Sequence, residues 1–117
     1  MSGNLLINPF LMQVVATVPD QVTNLAVDWG NTWEDAGGWW LAITWTVPGN
    51  GGSAITGYEW EATNQTFSPT SGSFGPVSGS LADVAMMDGS SDPHDFRLRA
   101  VNAIGAGAWS SYVTFQP

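Results

Sequence analysis

Apolar residues recur at every second position through much of this chain. In WWLAITWT, Leu41, Ile43 and Trp45 fall on one side, with Ala42, Thr44 and Thr46 on the other. In GYEWEA, Tyr58, Trp60 and Ala62 share a side while Glu59 and Glu61 point away, and in DFRLRAV, Phe96, Leu98 and Ala100 alternate with Arg97 and Arg99. A period of two belongs to strands with one buried face. No window carries the 3.6 period of an amphipathic helix, and Gly and Pro punctuate the chain about every ten residues. Short strands without intervening helices predict an antiparallel sandwich. The strands are expected near 22–29, 39–47, 56–63, 66–70, 81–87, 95–102 and 109–115, the fourth of them resting on a stretch rich in turn formers.

The stretch TVPGNGGSAITGYEW interrupts this alternation. Pro48 ends the second strand because it cannot donate to a ladder. Gly49, Asn50, Gly51 and Gly52 supply positive φ for a wide reversal. A phosphate-cradling loop needs a helix after it, and ITGYEW is a strand. The loop is expected only to connect two sheets.

Composition narrows the function. Hydrophobic residues make up 44% of the 117, enough for one globular domain with a single core. Ten acidic residues stand against two basic ones, both arginines, for a net charge of −8. Nucleic acid and anionic membrane surfaces are thereby disfavoured as partners, since phosphate binding requires several cations. With no cysteine, disulfide and thiolate chemistry are excluded. The first basic side chain is Arg97, so the early apolar stretch NLLINPFLM lacks the positive flank of a secretory signal. That stretch contains Pro9 and is too short to span a bilayer, so neither export nor membrane anchoring is expected.

Few residues suggest chemistry. Glu59 and Glu61 lie side by side on an outward strand face, with none of the cleft that a glycosidase places between its carboxyls. His94 is the single histidine, and no second imidazole or thiolate completes a transition-metal site. Asp88, Asp92 and Asp95 gather near one loop but lack the spacing and terminal Glu of an EF-hand. Asn64 opens a glycosylation sequon, NQT, read as coincidental without an export signal. No catalytic residue, cofactor or metal is expected, and no enzymatic activity.

The same motifs carry a family resemblance. LAITWTVPGNGGSAITGYEW, followed by FRLRAVNAIGAGAWSSYVTF, resembles a fibronectin type III domain of the kind common in bacterial and phage proteins, over about residues 19–117. VPDQVTNLAV resembles the first strand with its leading proline. Trp45 stands where the family keeps a core tryptophan in strand B, Tyr58 at the strand C aromatic, and RAVNAIGAGAWS at the end of F, the FG loop and the start of G. The resemblance implies an all-β, seven-stranded antiparallel immunoglobulin-like sandwich in which strand C neighbours strand F. Arg97 and Arg99 are therefore expected opposite Glu59 and Glu61. Two departures stand out. WGNTWEDAGGWW makes the AB region long and rich in tryptophan, and His94 replaces the tyrosine of the family's corner motif.

Residues 1–18 lie outside the resemblance and read as an extended apolar arm, with Leu5, Leu6, Ile7, Phe10, Leu11 and Met12 as partner-binding side chains. Burying them yields roughly 9–18 kcal/mol, comparable to the cost of ordering a dozen residues, so the arm is expected to be ordered only when docked. Seven tryptophans exceed what so small a core needs. Trp45 and Trp60 belong to it by alternation. Trp29, Trp33, Trp39, Trp40 and Trp109 extend the core, pack under a partner or stack on sugars, and Trp29 and Trp33 join the partner-binding set. These features resemble stand-alone accessory proteins of phage virions. The expectation is a structural or interaction protein that decorates a capsid or attaches to a tail, with capsid or tail proteins as partners and the virion as its location. The alternative is a carbohydrate-binding or adhesion accessory module of a larger secreted, extracellular protein.

Overall fold

The computed structural model describes residues 15–35, 38–64, 70–88 and 93–116, the side chains of 85–88 excepted. Among the described residues there are eight strands and no helix: β1 (Thr23–Val27), β2 (Trp33–Asp35), β3 (Gly38–Thr46), β4 (Ile55–Ala62), β5 (Ser71–Phe74), β6 (Ser80–Asp88), β7 (His94–Asn102) and β8 (Val113–Phe115). One sheet is built around β3, which pairs with β1, β2 and β6, and the other runs β5-β4-β7-β8. All pairings are antiparallel.

Five of the seven expected strands lie within two residues of their expected starts. The expected strand at 66–70 falls largely outside the described residues, and the chain pairs instead at Ser71–Phe74. SGSF reads as turn formers, but Gly72 lies opposite Trp60 in the ladder, and a Cβ there would meet the indole at 2.7–2.8 Å. The missing side chain lets an edge strand fit beneath the Trp60 ring. The last strand is shorter than expected, starting at Val113 rather than 109. Its lead-in is held by single contacts: Ser110 N donates to Leu98 O at 2.8 Å, and Leu98 N donates to Ser110 Oγ at 3.0 Å. The extra strand, β2, lies in the tryptophan-rich AB region and pairs with the first residues of β3, Trp33 opposite Trp40.

The inward faces meet in one core that contains every residue the alternation assigned to it: Leu41, Ile43, Trp45, Tyr58, Trp60, Ala62, Phe96, Leu98 and Ala100. Ring packing is specific within it. Trp45 meets Tyr58 edge-on at 5.0 Å, Tyr58 stacks on Phe74 at 5.4 Å, and Trp60 stacks on Phe96 at 5.5 Å. Among the described residues, the buried indole N–H of Trp45 has no hydrogen-bond partner.

Candidate functional site

The GNGG loop turns the corner between β3 and β4 and also receives the chain that leads into β1. Thr17 N donates to Gly51 O at 2.8 Å, and Asp20 N donates to Gly49 O at 2.9 Å. From the other side, the buried Asn102 donates its amide to Thr17 O at 2.7 Å and to Asn50 O at 2.8 Å. Its Oδ1 accepts from Ile104 N at 2.9 Å and Gly105 N at 3.2 Å, which shapes the β7–β8 loop. Backbone approaches this close that only glycine fits: a Cβ on Gly51, whose φ is +72°, would lie 2.6 Å from Val18 O, and one on Gly107 would collide with Pro19 O. Sequence reading found the turn and missed the clamp, because the groove is formed by loops some fifty residues apart in sequence. Thr17 is already bound there, ahead of the expected domain start at 19. Leu5, Leu6, Ile7, Phe10, Leu11 and Met12 lie outside the described residues.

The tryptophans of the AB region sit at the other end of β3. From Trp40 to Thr46 the strand covers roughly 20 Å. Asp28 organises the turn before β2: its carboxylate accepts from Gly30 N at 3.2 Å and Asn31 Nδ2 at 2.8 Å. Thr32 Oγ1 donates to Asp28 O at 2.8 Å and accepts from Ala42 N at 3.0 Å, which pins the turn to β3. Trp29 stacks on Phe115 at 4.9 Å and touches Trp39 edge-on at 6.4 Å. It covers the open end between the sheets while remaining 51% exposed. Trp39 packs on the core. Trp40, next in the strand, therefore points outward and stacks with Trp33 at 6.0 Å. Trp33 Nε1 donates to Asp83 Oδ1 at 2.7 Å, Trp40 Nε1 donates to Asp35 Oδ2 at 2.8 Å, and Trp33 is 47% exposed.

The outer face of the second sheet carries both arginines. Glu59 is paired with Arg99 and Glu61 with Arg97, as strand adjacency predicts. Arg99 Nε donates to Glu59 Oε1 at 2.8 Å; Arg97 donates to Glu61 through Nε at 2.6 Å and also through Nη2. Trp109 and Tyr112 complete a layer that sequence reading missed. The Arg97 guanidinium lies 4.5 Å from the Trp109 ring and 4.8 Å from the Tyr112 ring, and that of Arg99 lies 4.1 Å from Trp109. The available signal was the spacing of three between Trp109 and Tyr112. A ladder-paired strand would send them to opposite faces, whereas this irregular segment sends both to Arg97.

His94 is fully buried, and its Nδ1 lies 3.1 Å from Thr63 O, which makes Nδ1 the protonated nitrogen of that contact. The histidine thus ties β7 back to the chain after β4. Asn64 donates to Pro93 O at 2.6 Å in the same corner, so the sequon amide is engaged internally. Asp95 accepts from Thr114 Oγ1 at 2.8 Å. Asp92 and the side chain of Asp88 lie outside what is described. Among the described residues no group of three or more His, Cys, Asp or Glu is placed to hold a metal.

No family model matches the chain, and no curated protein matches it. Solved structures do. One, described as a myokine structure, aligns with a TM-score of 0.53 at 13% identity, covering 87% of this chain and 97% of its own. At that identity the likeness is one of fold. The chain is an all-β fibronectin type III-like sandwich.

Proposed function

We propose that this protein is a non-enzymatic structural and interaction protein, an accessory component of a phage virion that decorates the capsid or associates with the tail. The fibronectin type III sandwich is typically a non-enzymatic fold. The observation that carries the reading is the clamp on Thr17, held by Gly51 and Asn102. A chain leading into a sandwich needs no such fixation for the fold's own core. Here Thr17, five positions after the apolar sequence NLLINPFLM, is hydrogen-bonded at one end of the domain, while half-exposed tryptophans stand at the other. Two separated contact regions suit a connector within an assembly of capsid or tail proteins. Pre-ordering the point of attachment lowers the entropic cost of docking what precedes it.

The test is deletion of residues 1–14, which spares the clamp. The shortened protein should remain folded but fail to co-sediment with particles lacking the native copy. Alanine at Leu6, Phe10 or Leu11 should each weaken incorporation by 2 kcal/mol or more, roughly the threshold of a hot spot. Full incorporation of the shortened protein would overturn docking through the arm. The exposed Trp33 favours a second reading, a carbohydrate-binding or adhesion accessory module of a secreted protein.

A further inference from the structure

We propose that the groove on the outer face of the second sheet, walled by Trp109, binds a neutral oligosaccharide. Such a site lies beyond docking through the arm, and it differs from the exposed Trp33 of the second reading. Strand register builds its floor. Ser73 lies opposite Glu59 and Glu59 opposite Arg99, while Ser71 lies opposite Glu61 and Glu61 opposite Arg97. Directly opposed residues share a face, so β5, β4 and β7 carry two outward rows of Ser, Glu and Arg. Both serines, both glutamates, Arg99 and Trp109 line a groove of about 410 Å³. That size falls within the roughly 300–1,000 Å³ usual for small-molecule sites.

The hydrogen-bonding capacity left over in this lining selects the ligand. Glu59 and Glu61 each commit Oε1 to their arginine. Among the described residues, the Oε2 atoms of both, the hydroxyls of Ser71 and Ser73, Arg99 Nη1 and the Trp109 indole N–H have no hydrogen-bond partner. The groove therefore offers acceptors, donors and two hydroxyls that do both. A sugar hydroxyl also donates and accepts, and a pyranose turns an apolar C–H face that suits an indole ring. Trp33 and Trp40 offer no such donors, because their indole N–H groups are taken by Asp83 and Asp35.

Charge makes the ligand a neutral one. The chain carries −8 overall, yet on this face each glutamate is matched by an arginine. A charged ligand would have to compete with one of these ion pairs, and an anion would also meet the other carboxylate. The wall is in place before any ligand arrives. Gln21 Nε2 donates to Trp109 O at 2.9 Å, Ser110 N donates to Leu98 O at 2.8 Å, and both guanidinium groups lie against the indole. A pre-formed site loses less entropy on binding.

The full chain is titrated with short homo-oligomers of glucose, mannose, galactose and N-acetylglucosamine, and the indole N–H resonances are followed. Each sugar is taken to about 10 mM, enough to reveal a millimolar Kd. At least one should shift Trp109 and leave Trp33 and Trp40 in place. Trp109→Ala should weaken that binding by about tenfold. Because Trp109 also supports the arginine layer, Ser71→Ala combined with Ser73→Ala is the second variant. These hydroxyls hold nothing in the fold, so the double variant should melt like the parent and still bind at least about threefold more weakly. No shift at Trp109 with any of the four sugars, or shifts at Trp33 instead, would overturn the site. Tighter binding of a galacturonic acid oligomer would overturn the neutral ligand. Sugar binding should survive deletion of residues 1–14, and its loss with the arm would move the contact off this face. A shortened protein that binds sugar and still co-sediments supports this site and refutes arm docking alone.

Discussion

The side-chain amide of Asn102 joins Thr17 O, at 2.7 Å, to the loop that carries Gly51, whose own carbonyl accepts from Thr17 N at 2.8 Å. One buried amide therefore holds three segments together: the lead-in to β1, the β3–β4 loop and the β7–β8 loop. Asn102→Ala removes the donor to Thr17 O and Asn50 O and the acceptor for Ile104 N and Gly105 N, and should cost about 2–4 kcal/mol in urea unfolding. Amide exchange at Thr17 should accelerate more than at Leu98. Uniform acceleration across both would show that the asparagine supports the whole fold rather than the clamp.

Glycines of the clamp should be far less replaceable than a glycine elsewhere. Gly107→Ala collides with Pro19 O, and Gly51→Ala adds positive-φ strain to its collision, whereas a Cβ on Gly75 meets nothing within 4 Å. The first two should each lose more than about 1 kcal/mol, and Gly75→Ala should change stability by less than about 0.5 kcal/mol. Thermal melts of the three variants side by side are sufficient.

Core substitution separates volume from polarity at Trp45. Trp45→Ala should cost roughly 3–5 kcal/mol by opening a cavity. Trp45→Phe removes a buried N–H that has no partner, which offsets part of the lost volume, so its cost should be well under half that of alanine. Equal costs for both would place a partner on that indole nitrogen.

Arginine on the outer sheet face does more than form ion pairs. Replacing both Arg97 and Arg99 would have little effect in high salt if only charge were involved, since exposed pairs are screened. Stacking against Trp109 and Tyr112 is not lost in the same way. Arg97→Ala should cost about 1–2 kcal/mol, with at least half surviving in 1 M salt. A double-mutant cycle with Tyr112→Ala should return a coupling of about 0.5–1 kcal/mol. A coupling that vanishes in salt would reduce the layer to its ion pairs.

Alternation in the sequence was enough to determine the strands around Leu41–Trp45, Tyr58–Ala62 and Phe96–Ala100 and which of their faces is buried; that Glu59 and Glu61 meet Arg97 and Arg99 across two neighbouring strands was implied by the family resemblance. Alternation is local information, because a period of two assigns each residue a face without reference to the rest of the chain. The tertiary structure decided the remainder. Gly51 reads as a turn residue, and only the approach of Thr17 and Val18 explains why no side chain fits there. Trp33 reads as surplus apolar area until Asp83, fifty positions away, accepts its indole N–H. Trp109 reads as the start of a last strand until two guanidinium groups are seen against its ring. Each of these contacts joins segments that no sequence window spans, and each is made by side chains whose partners are chosen by how two sheets and their loops come together.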